Sequence, residues 1–165
     1  MDIKRATRGD IGTIQQIAGL AFPPTFEPII GKEQVAYMMQ WMYSTESLER
    51  QMAGGHTYQL GFEGGRPVGY ASLERQGGRL FHLQKLYVVP AEQRKGFGKA
   101  LFEAALALAR ELAGGPCTME LNVNRHNLGA IEFYKRRGMR VARQGDFEIG
   151  SGYYMNDYIM ALELG

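Results

Sequence analysis

Two rhythms alternate along the chain. Apolar positions three or four residues apart mark helices, and denser runs of β-branched and aromatic residues, broken by glycine pairs, mark strands. "DIKRAT" predicts a short first strand. Behind it Asp10 is placed to cap a helix whose face is Ile11, Ile14, Ile17, Ala18 and Ala21, and Pro23-Pro24 is expected to end it. A second helix follows over "KEQVAYMMQWMY", and Ser44 and Thr45 offer a cap for a third over "ESLERQMA", closed by Gly54-Gly55. "HTYQLGFE", "RPVGYASLER" and "RLFHLQKLYVV" predict hairpin-linked strands, with Gly-Gly turns at 64–65 and 77–78 and a stop at Pro90. Gly98 to Ala113 is almost pure helix-former, with Ala100, Leu101, Ala104, Ala105, Leu108 and Leu112 on one side. "CTMELNV" is a strand after it, so the helix is a crossover between parallel strands. "NLGAIEFYKRR" predicts a helix capped by Asn127 and ended by Gly138, and "MRVARQGDF" with "YYMNDYIMALEL" a closing hairpin. The fold class this order predicts is α/β (α+β), a mixed and mostly antiparallel sheet of about seven strands with helices on both faces.

Composition narrows the class without naming a function. With 165 residues, 45% of them hydrophobic and 22% charged, the chain is expected to be one globular domain spanning 1–165. A net charge of +2 is spread along the chain, so neither nucleic acid nor a membrane surface is expected as a partner. The N-terminus "MDIKRATRGD" lacks the apolar core of a secretory signal, Cys117 has no partner for a disulfide, and "ALFEAALALA" is too short and interrupted to span a bilayer. A cytoplasmic location is the expectation. His56, His82 and His126 are not at metal-ligand spacing, and no metal is expected.

The stretch "PAEQRKGFGKAL" is where chemistry enters. A helix N-terminus presents unpaired N–H groups and partial positive charge, and Gly96 and Gly98 leave room for a phosphate oxygen to approach while Arg94, Lys95 and Lys99 add cations. A pyrophosphate suits such a loop, although the same glycines would serve a plain turn. A P-loop would need glycine at Gln93 and a hydroxyl at Ala100. A dinucleotide fingerprint would need glycine at Leu101. Further on, a helix beginning at Asn127 carries Tyr134 on the same face, so amide and phenol can look into one cleft. Cys117 opens a buried strand and reads as a small core residue.

"QRKGFGKAL" after a strand ending "LYVVP", followed by "NLGAIEFYKRRGM", resembles the GCN5-related N-acetyltransferases in both of their coenzyme-binding motifs. The resemblance covers residues 3 to about 164. The stretches from Ala21 to Met52 and from Gly150 to Leu162 look more particularly like a bacterial branch that includes polyamine acetyltransferases.

That resemblance implies acetyl-CoA as the coenzyme, its pyrophosphate on Gln93, Arg94, Lys95, Gly96, Phe97, Gly98 and Lys99, and Asn127 as a further contact. It implies a parallel pair that splays so that the pantetheine arm runs along Leu86, Tyr87 and Val88. The N–H of Val88 would face the acetyl oxygen, and Tyr134 would protonate the departing sulfur. Free phenol and thiol differ by only about 1.5 pH units. Where the histone-acetylating branch has a glutamate base this chain has Gln84, which leaves His82 or a water chain. The acceptor wall would draw on Phe26, Glu27, Tyr37, Trp41, Gln84 and Asp157, lining that suits a polyamine or diamine. Alternatives with the same fold are a protein N-terminal or lysine acetyltransferase and a coenzyme sensor without catalysis. The open edges of the closing hairpin suggest a homodimer.

Overall fold

The computed structural model describes residues 1–165. Seven strands form one sheet in the order β1-β2-β3-β4-β5-β7-β6. These are β1 (Asp2–Arg5), β2 (His56–Glu63), β3 (Arg66–Gly77), β4 (Leu80–Val88), β5 (Cys117–Asn124), β6 (Arg140–Gly150) and β7 (Tyr153–Leu164). The helical elements are α1 (Ile11–Tyr43), α2 (Thr45–Ala53), α3 (Phe97–Ala113) and α4 (Leu128–Arg136). All neighbouring strands pair antiparallel except β4 and β5, which run parallel as the crossover predicts.

Each face of the sheet buries its own core. Ile14, Ile17, Phe22 and Leu48 of α1 and α2 pack on Tyr58, Leu60 and Tyr70. On the other face Phe102, Ala105 and Leu108 of α3 and Ile131 and Tyr134 of α4 pack on Ala71, Leu73, Phe81 and Met119. The expected face of α3 is therefore turned. Phe102 and Ala109 are inside, and Leu112 is exposed near the C-terminal end of the helix.

Two local expectations need correction at the N-terminal quarter. Pro23-Pro24 does not end the first helix, because both prolines and Pro28 lie inside the helical run, and the real break is Gly31 at φ 84°. The carbonyls these prolines leave without a donor, at Gly19, Leu20 and Pro24, belong to exposed residues where water can take over. Thr25 donates its hydroxyl to the Ala21 carbonyl at 3.0 Å, which helps to carry the helix on. The carboxylate of Asp10 does not cap α1. It folds back to accept from the Thr7 N–H at 2.8 Å and from Lys4 Nζ at 3.1 Å, and these bonds hold its carboxyl below the usual aspartate range. Ser44 does cap α2 as expected, accepting from the Ser47 N–H at 3.2 Å.

Strand β4 departs from its neighbours in two ways. Its pairing with β5 covers only Leu80–His82 against Thr118–Glu120, after which β5 continues alongside β7 and β4 alongside β3. The parallel pair thus parts beyond His82. A bulge also falls at Gln84, because Leu73 pairs with Leu83 while the adjacent Ser72 pairs with Lys85. In an unbroken strand Leu83 and Lys85 would share a face. Here Leu83 joins the α3/α4 core, whereas Lys85 turns toward α1 and α2.

Candidate active site

Where β4 and β5 part, a cleft of about 1180 Å³ opens between the two halves of the sheet. Its floor is the free edge of β4. The Val89 N–H donates to Val68 O on β3 at 2.9 Å, and hydrogen bonding alternates along an antiparallel strand, so the N–H groups of Leu86 and Val88 face the gap. One end of the cleft is the loop before α3. The amides of Arg94, Lys95, Gly96, Phe97, Gly98 and Lys99 donate to no backbone carbonyl, and the first turn of the helix is closed only by the Ala100 N–H on Gly96 O at 3.1 Å. Gly96 reaches this conformation at φ 86°, and Arg94 takes a left-handed φ of 66° that a non-glycine residue rarely adopts. The chain is held there by Gln93, whose Nε2 donates to Val88 O at 3.1 Å, and by Glu92, which accepts from Arg66 Nε at 2.9 Å and from Lys95 Nζ at 3.1 Å. Those two cations hold the Glu92 carboxyl below its usual range.

The expected anion-binding set therefore divides. Gln93, Arg94, Gly96, Gly98 and Lys99 line the cleft. Lys95 instead clamps Glu92, and Phe97 points its ring inward, so these two contribute backbone only. Asn127 lies on the cleft and also caps α4, accepting from the Ala130 N–H at 3.4 Å. Tyr134 lines the cleft from α4, with Phe133 and Phe102 at 5.3 and 6.0 Å between ring centroids. Burial pushes its phenol well above the ordinary tyrosine value. The hydroxyl stays protonated, and the small phenol–thiol gap expected from free side chains is widened in the ligand-free protein.

At the end of the β4–β5 pairing lies a polar corner. His82 is buried there beside Glu120 and Glu74, and burial, partly opposed by those carboxylates, lowers its pKa below the ordinary histidine value. Gln84 donates from Nε2 to Glu74 Oε1 at 2.8 Å, and His56 Nε2 lies 3.2 Å from Glu74 Oε2. Glu120 is in turn gripped by Arg143 through contacts of 3.0 and 2.9 Å. Across the cleft Asp157 is 2% exposed and hydrogen-bonded by Asn122 Nδ2 at 3.2 Å, and burial raises its carboxyl above the usual range.

Of the residues expected to form the acceptor wall, Phe26, Trp41, Gln84 and Asp157 line the cleft and Glu27 and Tyr37 do not. Tyr37 donates its hydroxyl to Ile149 O at 2.7 Å and packs on Tyr153 at 5.2 Å, which ties α1 to the β6–β7 hairpin. One prominent residue was not expected from the sequence. Lys85 is 7% exposed, its Nζ 2.9 Å from Gln51 Oε1, hydrogen-bonded to the Tyr58 hydroxyl and 4.4 Å from the centre of the Tyr43 ring. Burial without a carboxylate partner lowers its pKa to about 7. The only sequence signal for it is a charge two residues before Tyr87 in a run of strand-formers.

No three His, Cys, Asp or Glu side chains lie close enough to share a metal ion, and no helix is long and apolar enough to cross a membrane.

Residues 21–139 match the model of the acetyltransferase (GNAT) family. An uncharacterized N-acetyltransferase of Mycobacterium tuberculosis is 30% identical over 156 residues, which is 94% of this chain and 98% of that protein. The peptidyl-lysine N-acetyltransferase YjaB of Escherichia coli is 33% identical over 89 residues, 53% of this chain and 52% of its own length. Among solved structures, the PaiA N-acetyltransferase of Thermoplasma acidophilum in complex with coenzyme A superposes with a TM-score of 0.82 at 23% identity, covering 99% of this chain and 98% of that one. YncA of Salmonella typhimurium, solved with acetyl-CoA, gives 0.69 at 21% identity over 100% and 94% of the two chains. These two likenesses are of fold.

Proposed function

Because this chain belongs to the acetyltransferase (GNAT) family and is an acetyl-CoA-dependent N-acetyltransferase, we propose that it acetylates a primary amine of a small molecule in the cleft between β4 and β5. The observation that carries the site assignment is the row of unpaired amides from Arg94 to Lys99 beside a β4 edge that β5 has left. Amides without protein acceptors at a helix N-terminus are a seat for the diphosphate of acetyl-CoA, with Arg94 and Lys99 adding charge. The pantetheine arm then lies along the free N–H groups of Leu86 and Val88 in the manner of an added strand.

The reaction follows from this placement. The acceptor's neutral nitrogen attacks the thioester carbon, and the C–N bond forms as the carbonyl electrons move to oxygen. The Val88 N–H stabilises that oxyanion. Collapse breaks the C–S bond, and the Tyr134 hydroxyl, held protonated by burial, gives its proton to the leaving sulfur. His82, which burial keeps neutral at physiological pH, takes the proton the ammonium must lose, directly or through water. Phe26 and Trp41 supply aromatic surface to the acceptor, and Asp157 is the carboxylate among the cleft-lining residues. A polyamine-like acceptor would depend on Asp157, since Glu27 lies elsewhere.

A protein lysine as acceptor is favoured by the partial likeness to YjaB, which spans about half of each chain. The two readings separate in one assay. Release of CoA thiol is followed with polyamines, amino acids, aminoglycosides and lysine-bearing peptides. Turnover confined to peptides would replace the small-molecule reading, and no turnover with any amine, while CoA still raises the melting temperature, would leave a sensor.

A further inference from the structure

Charge is unevenly distributed in the cleft. Arg50, Lys85, Arg94, Lys99, Arg136 and Arg137 line it against a single acidic side chain, Asp157. Arg94, Lys99, Arg136 and Arg137 stand beside the phosphate-seating loop and on α4 and its C-terminus, where a coenzyme with several phosphates accounts for them. Arg50 on α2 and Lys85 on β4 lie on the opposite face of the sheet, among the residues of the acceptor side, and the coenzyme does not explain them. Neither forms an ion pair with any carboxylate of the protein; Glu49 is engaged by Arg8, and Glu74 by His56 and Gln84.

Lys85 is the more informative of the two. Its neighbours are the oxygens of Gln51 and Tyr58 and the π face of Tyr43, which are neutral groups. A buried ammonium surrounded by dipoles alone is costly, so the charged form of Lys85 gains strongly from an anion that enters the cleft beside it. The bulge at Gln84 is what turns it to this side of the sheet.

We propose that Lys85, with Arg50 at the rim, is the docking point for a carboxylate on the acceptor, so that the natural substrate is an amino acid or another amine bearing an acid group rather than a polyamine. This rests on the placement of the transferase site in the same cleft. An entering carboxylate completes the ion pair that the protein leaves open, and the aromatic cage of Tyr43 and Tyr58 keeps water from competing for it. Asp157, on the far wall, is then free to steer the amine. A carboxylate favours the protonated form of Lys85, whereas a doubly cationic diamine disfavours it.

The test compares acceptors that differ by the carboxylate alone: 6-aminohexanoate with hexylamine, and L-lysine with 1,5-diaminopentane. In the wild-type enzyme kcat/KM is expected to favour the acids about 10- to 100-fold, the range for a hydrogen-bonded charge pair. In Lys85→Met the ratio falls to near one, because KM for the acids rises. Amines favoured over acids in the wild type, or an acid preference that survives Lys85→Met, overturns the proposal and leaves the transferase site standing. Hexanoate, which carries no amine, is the independent arm: it is expected to raise the melting temperature of the wild type and to compete with 6-aminohexanoate. Its failure to do either also overturns the proposal, even should Lys85→Met not fold. Acetylation of none of the four amines would overturn the proposal as a statement about the acceptor, even with hexanoate stabilising only the wild type, and would leave the transfer chemistry to the wider amine panel.

Discussion

Lys85→Met should alter the pH dependence of stability in a way no surface substitution would. In the folded chain burial takes the lysine from its ordinary 10.5 to about 7. Between those values the unfolded chain holds a proton that the folded one has released, so stability rises with pH across this window, by about 1.4 kcal/mol per pH unit. Integrated from pH 7 to 10.5 the gain is about 5 kcal/mol, as large as the whole stability of many domains. Below pH 7 both states bind the proton and the penalty is fully present. The variant has no such group, so its curve should be flat where the wild type climbs. The hydrogen bonds to Gln51 and Tyr58 lost on substitution shift the whole curve and leave its slope alone. Other perturbed groups titrate outside the middle of this window: the buried tyrosines are raised above 10, and His82 and His56 are lowered below 6.5. Urea denaturation at about pH 7.5, 8.5 and 9.5 reads the effect directly. With an m-value of about 1–3 kcal/mol/M the wild-type midpoint should move up by about 0.5–1.4 M per pH unit. Parallel midpoints for wild type and variant would mean that Lys85 is solvated in the folded chain, and a solvated lysine has no unmet need for a carboxylate.

Other substitutions probe the coenzyme side and the proton transfers. At Gly98 an added methyl meets Phe133 at 3.6 Å and Val88 at 3.8 Å, ordinary contacts, in a helical first turn. Gly98→Ala should therefore stabilise the ligand-free protein by up to about 1 kcal/mol, or about 2–4 °C for a chain of this size, while the melting shift induced by acetyl-CoA shrinks. An undiminished shift would show that no ligand approaches there. Tyr134→Phe should lower kcat about 100-fold or more and leave the acetyl-CoA melting shift in place, and a normal kcat would remove the phenol from the mechanism. For His82 the base must be neutral, so kcat/KM should rise with pH through an acidic limb lying below 6.5, and His82→Asn should abolish that limb. Persistence of the limb in the variant would assign it elsewhere.

Strands and turns were legible because their signals are local. Gly64-Gly65 and Gly77-Gly78 take the left-handed turns their lack of a β-carbon permits, and Ser44 and Asn127 cap the helices they precede. The G-x-G loop was legible for the same reason, since both its glycines and the helix behind it are contiguous. What sequence spacing could not give is decided between elements. Pro23 and Pro24 read as a stop, but the carbonyls they leave without a donor belong to the exposed residues Gly19 and Leu20, and the helical run carries on. Lys95 counted as a ligand cation until Glu92, brought in through Arg66 on β3, claimed it. Tyr37 and Glu27 fell on a plausible wall because helical periodicity fixes a face and not its rotation against the sheet. Lys85 was hidden for a related reason, since strict alternation places it with Leu83, and only the bulge, a property of β3 and β4 together, sends it to the other side.

The transferase chemistry stands or falls with one seat for acetyl-CoA, built from the amides of residues 94–99 and the free edge of β4. Titrating the isotope-labelled protein with CoA, while following its amide resonances, reads that seat without recourse to activity. The largest shifts are expected on Gly96, Phe97, Gly98 and Lys99 together with Leu86 and Val88, and amides of the β1–β2 edge are expected to stay still. Saturable CoA binding that leaves those six amides unmoved and perturbs a different surface would contradict the shared seat.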